Sequence, residues 1–262
     1  MEKVRSGDTE VFYEVRGNGP DLVVLHPFPA HHGIWTPVAE LLATRFRVIS
    51  PDLRGHGDSA PGDGPATMEK HANDLLCVCQ DAGVEKAAFA GNSIGGYILF
   101  EFWRRFRERV NALILVDTKA TPDTDDARKT RIAAADDVIK RGTGPFIDTQ
   151  IPKLIGESTH RNRPDLVAEA KRMMMRASAA GIAAVQLGMA ERPDSIPTLS
   201  TINVRTLLIH GEEDNLTPAA DMERIHQGIR GSLMRRIPKA GHYAPFEQPE
   251  EVHRIMREFL QR

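Results

Sequence analysis

Cysteine is nearly absent from this chain: two in 262 residues, Cys77 and Cys79. Side chains two positions apart on a helix point about 200° away from each other, so this pair is expected neither to bridge nor to chelate. Two plain thiols suit a reducing compartment. Excess charge is missing too, since 34 Lys+Arg face 36 Asp+Glu for a net charge of -2. With no basic face, no nucleic-acid partner is expected. No stretch approaches the roughly 20 apolar residues that span a bilayer, so no membrane partner is expected. The opening Met1-Glu2-Lys3-Val4-Arg5 is charged and lacks the apolar core of a signal peptide. The expectation is a cytoplasmic protein, monomer or homodimer. Internal repeats and low-complexity tracts are lacking as well, which leaves one large α/β domain, or a core with an insertion.

What the chain has instead is alternation. Thr9–Arg16 reads as a half-exposed strand, followed by a turn at Gly17-Asn18-Gly19-Pro20. Leu22–Leu25 is a continuous apolar run ending at His26, the pattern of a strand buried on both faces. A short helix over Pro37–Ala43 and a strand over Phe46–Ser50 follow, then a polar, glycine-rich stretch through Ser59. From Thr67, Met68, Ala72, Leu75, Leu76 and Cys79 recur at helical spacing. Strand Ala87–Ala90, a helix to about Phe106 and strand Ala112–Val116 complete the first half. This βαβαβ order predicts an α/β fold: a mostly parallel sheet with helices on both faces. Between 121 and 196 no strand is visible, and Pro145, Pro152, Pro164 and Pro193 punctuate short helices. Strands at Val204–Ile209 and Leu233–Ile237 then alternate with helices at Pro218–Ile229 and Glu250–Leu260. Pro249, Glu250 and Glu251 suit the start of that last helix. The expected organisation is a core of 1–120 and 197–262 carrying a helical cap of 121–196.

Chemistry concentrates at Gly91-Asn92-Ser93-Ile94-Gly95, a G-x-S-x-G pattern between a strand and a helix. A serine on that sharp turn has a strained backbone and an exposed hydroxyl, and the glycines let strand and helix approach. A serine hydroxyl is a poor nucleophile at neutral pH and needs a base, which in turn needs an acid to orient it. His242, in Ala240-Gly241-His242-Tyr243-Ala244-Pro245, follows a strand and so lies at the same carboxyl edge of the sheet as Ser93. Asp214, in Gly211-Glu212-Glu213-Asp214, is the carboxylate best placed after strand Val204–Ile209. Asp117 also follows a strand and is the second candidate acid.

Over nearly its full length the chain resembles the α/β-hydrolase superfamily. Four motifs carry the resemblance: the elbow around Ser93, the Gly-Glu-Glu-Asp loop, the Gly-His loop, and Asp52-Leu53-Arg54-Gly55-His56-Gly57-Asp58-Ser59. The order Ser, Asp, His agrees with it. The resemblance implies Ser93 as nucleophile, His242 as general base and then acid, and Asp214 as the orienting carboxylate. Serine at 93 sets the chain apart from the branches with aspartate there, the haloalkane dehalogenases and epoxide hydrolases. One oxyanion donor is then the Ile94 N–H, and the other comes from the loop after His26. That loop usually begins His-Gly-aromatic, but here it reads His26-Pro27-Phe28-Pro29. Proline has no N–H, so the expected donor is Phe28.

The implied activity is hydrolysis of small to medium carboxylic esters through an acyl-enzyme, with a small-molecule ester as the partner. No cofactor and no metal is required. An apparent pKa near 6 to 7 is expected for His242. Other readings stay open. The modest cap also resembles that of 3-oxoadipate enol-lactonases. Pro29 resembles cofactor-free perhydrolases and haloperoxidase-like enzymes. Gly91-Asn92-Ser93 with Gly95-Gly96 resembles carbon–carbon bond hydrolases, although their glycine-rich oxyanion loop is missing. A slow-turnover ligand receptor that keeps the three residues is the reading from outside enzymology.

Other residues are given plainer expectations. Adjacent His31 and His32 should diverge and bind no metal. His26 should brace the oxyanion loop, and His56 with Asp58 should hold the glycine turn. Met173-Met174-Met175 is core packing, with one of the three as a candidate to face substrate. Lys119 and Arg172 are solvated by default, with an anionic substrate as the alternative.

Overall fold

Long apolar runs set the middle of the sheet. In the computed structural model, which describes residues 1–261, the strands are β1 (Glu2–Ser6), β2 (Thr9–Arg16), β3 (Asp21–Leu25), β4 (Arg47–Pro51), β5 (Ala87–Asn92), β6 (Val110–Val116), β7 (Arg205–Gly211) and β8 (Leu233–Ile237). They form one sheet in the order β1-β2-β4-β3-β5-β6-β7-β8. From β4 to β8 every pairing is parallel, while β1 and β2 join antiparallel. The continuous apolar strands β3, β5, β6 and β7 occupy the centre, buried on both faces as their lack of alternation requires.

β1 is the strand that pattern reading misses. It pairs with β2 across a tight turn, Ser6 opposite Thr9, with Gly7 at φ 55°. Only Val4 in it is apolar, because an edge strand with one solvated face needs no hydrophobic run and is protected by its charges. β5 runs two residues past its expected end, through Gly91 and Asn92. The sheet pairing therefore reaches the residue before Ser93.

Helices α1 (Thr36–Leu42), α2 (Met68–Asp81) and α3 (Ile94–Phe106) lie between the strands of the first half. Between β6 and β7 come α4 (Asp125–Arg141), α5 (Thr143–Leu154), α6 (Glu157–Asn162), α7 (Pro164–Met174), α8 (Ala179–Ala190) and α9 (Ile196–Leu199). Then follow α10 (Ala219–Gly228), α11 (Ala244–Glu247) and α12 (Pro249–Leu260). α12 buries Val252, Ile255, Met256 and Phe259, spaced on one face, each contributing about 1.5–3 kcal/mol of apolar burial. No helix among the described residues is long and apolar enough to cross a membrane.

α8 is almost wholly buried and sits backbone to backbone on the core. A Cβ at Gly181 would lie 2.2 Å from Gly55 O, and one at Gly188 would lie 1.8 Å from Ala66 O. Ala66 N–H donates to Ala184 O in the gap between them. Small residues at these positions let α8 carry Gln186 and Met189 down to the sheet edge.

Candidate active site

Ser93 stands at the turn from β5 into α3 with φ 56° and ψ -115°, a conformation that L residues avoid. Its surroundings hold it there. Ser93 N–H donates to Val116 O at 2.9 Å, and Thr118 Oγ1 donates to Ser93 O at 2.7 Å. The glycines are required by close approach: a Cβ on Gly91 would meet Gly95 C at 2.5 Å, and one on Gly95 would meet Leu25 O at 2.8 Å.

His242 follows β8 and Asp214 follows β7, so both stand with Ser93 at the carboxyl edge. His242 Nδ1 lies 2.8 Å from Asp214 Oδ2. The other Asp214 oxygen accepts from Leu216 N–H at 2.7 Å and Thr217 N–H at 3.0 Å. An acceptor-only carboxylate makes Nδ1 the protonated nitrogen and leaves Nε2 its lone pair. Nε2 is buried and has no hydrogen-bond partner among the described residues. Burial opposes both charges of this pair, yet each charge favours the other. The pKa of His242 rises above the ordinary histidine value and that of Asp214 falls below the ordinary carboxylate value.

Asp117 is brought within 4.8 Å of Asp214, but its hydrogen bonds go to other groups than His242. At φ 44°, its Oδ1 accepts from Gly211 N–H at 2.8 Å and lies 3.0 Å from His210 Nδ1. Complete burial, and then the Asp214 charge, push its carboxyl far above the ordinary range and favour the neutral form. Of the two candidate acids, the structure therefore pairs His242 with Asp214.

The loop after β3 supplies Phe28, which lines the cavity in front of Ser93. Neither Phe28 N–H nor Ile94 N–H donates to a protein acceptor among the described residues. His26 braces this loop as expected: Nδ1–H donates to Pro27 O at 3.0 Å, and Nε2 accepts from Leu53 N–H at 2.9 Å. Tyr243 Oη donates to Phe28 O at 3.1 Å, which ties the Phe28 loop to the residue beside His242.

The cavity, about 120 Å3, also has walls from α4, α5 and α8: Arg131, Gln150, Leu154, Gln186 and Met189. Residues between β6 and β7 thus cover Ser93. A larger groove of about 440 Å3 lies between α6–α7 and α11–α12, lined by none of Ser93, Asp214 and His242.

Several clamps were not foreseen. Asn92 Nδ2 donates to Val116 O at 3.2 Å and to His242 O at 3.1 Å, holding the His242 loop beside the elbow. Glu247, buried on α11, accepts from Gly241 N–H, Gly156 N–H and Thr159 Oγ1 at 3.0, 2.9 and 2.7 Å. One carboxylate thereby fastens α6 to the residue preceding His242. Glu247→Ala leaves three buried donors without a partner and is expected to cost about 3 kcal/mol. In a chain of this size that lowers Tm by roughly 6–12 °C in a thermal scan.

Three plainer expectations need correction. His31 and His32 do not diverge: with Asp52 their ligand atoms gather within 4.8 Å. The inner nitrogens are committed, His32 Nδ1 to Asp52 Oδ1 at 2.6 Å and His31 Nδ1 to Gly33 N–H at 3.1 Å. The glycine turn is held by His56 Nδ1 on Arg54 O and by Asp52, which accepts from Asp58 N–H. The Asp58 side chain instead pairs with Arg176 at 2.7 Å. None of the three consecutive methionines lines the Ser93 cavity; Met189 does, and so does Lys119, whereas Arg172 is exposed elsewhere.

Comparison with known proteins gives a consistent picture. The family described as the alpha/beta hydrolase fold matches residues 20–249. An esterase from Thermogutta terrifontis, solved with malate bound, is 39% identical with a TM-score of 0.97, covering 100% of this chain and 98% of that one. A pimeloyl-acyl-carrier-protein methyl ester esterase from Nitrosomonas europaea is 28% identical over 248 residues, 90% of this chain and 93% of the relative. A 3-oxoadipate enol-lactonase from Acinetobacter baylyi is 26% identical over 245 residues, 93% and 89% respectively.

Proposed function

The chain belongs to the α/β-hydrolase family, and from that premise we propose that it is a serine hydrolase of small to medium carboxylic esters. Ser93 Oγ attacks the ester carbonyl while His242 Nε2 accepts its proton. Asp214 fixes the reactive tautomer of His242 and stabilises the imidazolium that forms. The free N–H groups of Phe28 and Ile94 receive the oxyanion, and each donor of this kind supplies about 3 kcal/mol. His242 then protonates the leaving alcohol. Water, deprotonated by the same nitrogen, attacks the acyl group and releases Ser93.

One observation carries this reading: His242 has Nδ1 committed to Asp214 and Nε2 buried with no partner among the described residues. His56, His71 and His160 also hold a buried nitrogen without a partner among the described residues, but of these four histidines His242 alone has its other nitrogen on a carboxylate, which fixes the tautomer a general base needs. The small cavity favours short substrates, since a comparable void of about 150 Å3 holds one benzene. Its compactness also suits a lactone, where alcohol and acid remain joined; that cyclic ester is the second reading. Two free cysteines accord with a cytoplasmic setting.

The test combines a serine-directed phosphonate with a pH profile on a short p-nitrophenyl ester. The phosphonate should stop turnover by labelling Ser93. Only neutral His242 accepts a proton, so kcat/KM should rise with pH. Burial lowers the histidine pKa but the Asp214 charge raises it further, so the midpoint should stand above the ordinary histidine value. A profile flat from acid to alkaline pH removes His242 as the base.

A further inference from the structure

The walls in front of Ser93 carry more positive charge than a neutral ester needs. Lys119 after β6, Arg131 on α4 and Arg192 after α8 all line the cavity, with Asp123 as the wall's carboxylate. Asp123 is shared by both guanidiniums, at 2.5 Å from Arg131 Nε and 2.6 Å from Arg192 Nη1. One anion between two cations leaves a positive charge uncompensated. The side chains of Asp123 and Arg192 are only 6% and 5% exposed, so water screens that charge little. Lys119 has its own counter-ion, Asp221, 3.3 Å away and outside the cavity lining.

The two arginines differ in what they offer. Arg192 is spent: Nε and Nη2 donate to Thr121 O, Nη1 donates to Met189 O, and the guanidinium lies 4.6 Å over the Tyr97 ring. It contributes field rather than free donors. Arg131 gives Nη1 to Gln186 Oε1 at 2.9 Å and keeps Nη2 without an acceptor among the described residues. Gln186 Nε2 likewise donates to no protein group among them. The Arg131 Nη2–H and Gln186 Nε2–H groups, without acceptors among the described residues, and the Lys119 ammonium line one cavity where two guanidiniums share a single carboxylate, and together they form a carboxylate-binding set.

We propose that, given acyl transfer at Ser93, the cavity selects small esters or lactones bearing a second, ionised carboxylate, held by Arg131, Lys119 and Gln186 in the field of Arg192. The ester carbonyl meets Ser93 and the distal carboxylate reaches the cationic wall.

Matched pairs of esters test this at pH 8 by acid release. Monomethyl succinate is compared with methyl 4-methylpentanoate, and acetoxyacetate with isobutyl acetate; in each pair an isopropyl group replaces the carboxylate. The first pair probes the acyl side and the second the alcohol side. At least one anionic ester should exceed its isostere in kcat/KM by about tenfold or more. That ratio should fall towards one in Arg131→Gln and drop in Lys119→Gln, while Arg131→Lys keeps part of it. Phosphonate titration counts intact sites, and Lys119→Gln serves if Arg131→Gln does not fold. Isosteres hydrolysed as fast as both anionic esters, or a ratio that neither Gln variant changes, overturn the carboxylate assignment and leave ester hydrolysis standing. Turnover of neither kind of ester removes the ester-hydrolase reading itself.

Discussion

Ser93→Ala is expected to lower kcat by about a millionfold while the protein folds as before. In the proposed mechanism alanine removes the oxygen that forms the acyl-enzyme, and the remaining groups act only on a water that is neither activated nor aimed. The oxyanion donors and binding alone sustain a rate about 10^3–10^4 over the uncatalysed reaction. Stability should be unaffected or slightly improved. The main-chain anchors at this position, to Val116 O and from Thr118 Oγ1, involve Ser93 backbone atoms and survive the change. Backbone strain at φ 56° is the same for alanine as for serine, so nothing collapses. Activity that falls by less than about a hundredfold, in protein with an unchanged Tm, would move the nucleophile elsewhere.

The position of Ser93 was readable because its signals are local. Two glycines flank a serine where a short continuous apolar run gives way to a helical one, and the structure shows the contacts that exclude any Cβ there. The central strands were equally readable, since burial on both faces demands uninterrupted apolar residues. β1 was not, because its partner is a strand edge and its other side is solvent. The choice between Asp117 and Asp214 was only half legible. Both follow strands at the same edge, and what separates them is the direction of a side chain, set by Gly211 N–H and His210 at one and by Thr217 N–H and His242 at the other. The cationic wall was least legible of all. Lys119, Arg131 and Arg192 lie on three separate segments, and no local pattern announces that helices will bring them around one cavity. The small residues of α8 were the usable clue: Gly181, Ala184 and Gly188 share a face and predict close approach to another backbone.

Asp214→Asn should reduce kcat by about ten-thousandfold, whereas Asp117→Asn should leave activity within about tenfold of wild type. Asparagine at 214 can still accept from Leu216 and Thr217 with its oxygen, so the loop keeps its shape. Its NH2 then faces His242 Nδ1 and can only donate, which forces the proton onto Nε2 and removes the lone pair that Ser93 requires. Loss of the Asp214 charge also lowers the histidine pKa, so what activity remains should titrate at lower pH than wild type. At 117 the argument runs the other way. Burial already disfavours the charged carboxyl, and an amide oxygen accepts from Gly211 N–H as well as the acid does. Because the folded-state pKa of Asp117 is raised, the unfolded chain gains by ionising it as pH climbs past the ordinary value of 3.8, and stability is lost from there upward. Asp117→Asn ends that loss, so its Tm should exceed the wild-type value at pH 7 and show no such gain below pH 3.8. Parallel kcat and Tm measurements on the two variants decide the assignment: a collapse of activity at 117, or none at 214, would exchange the roles of the two carboxylates.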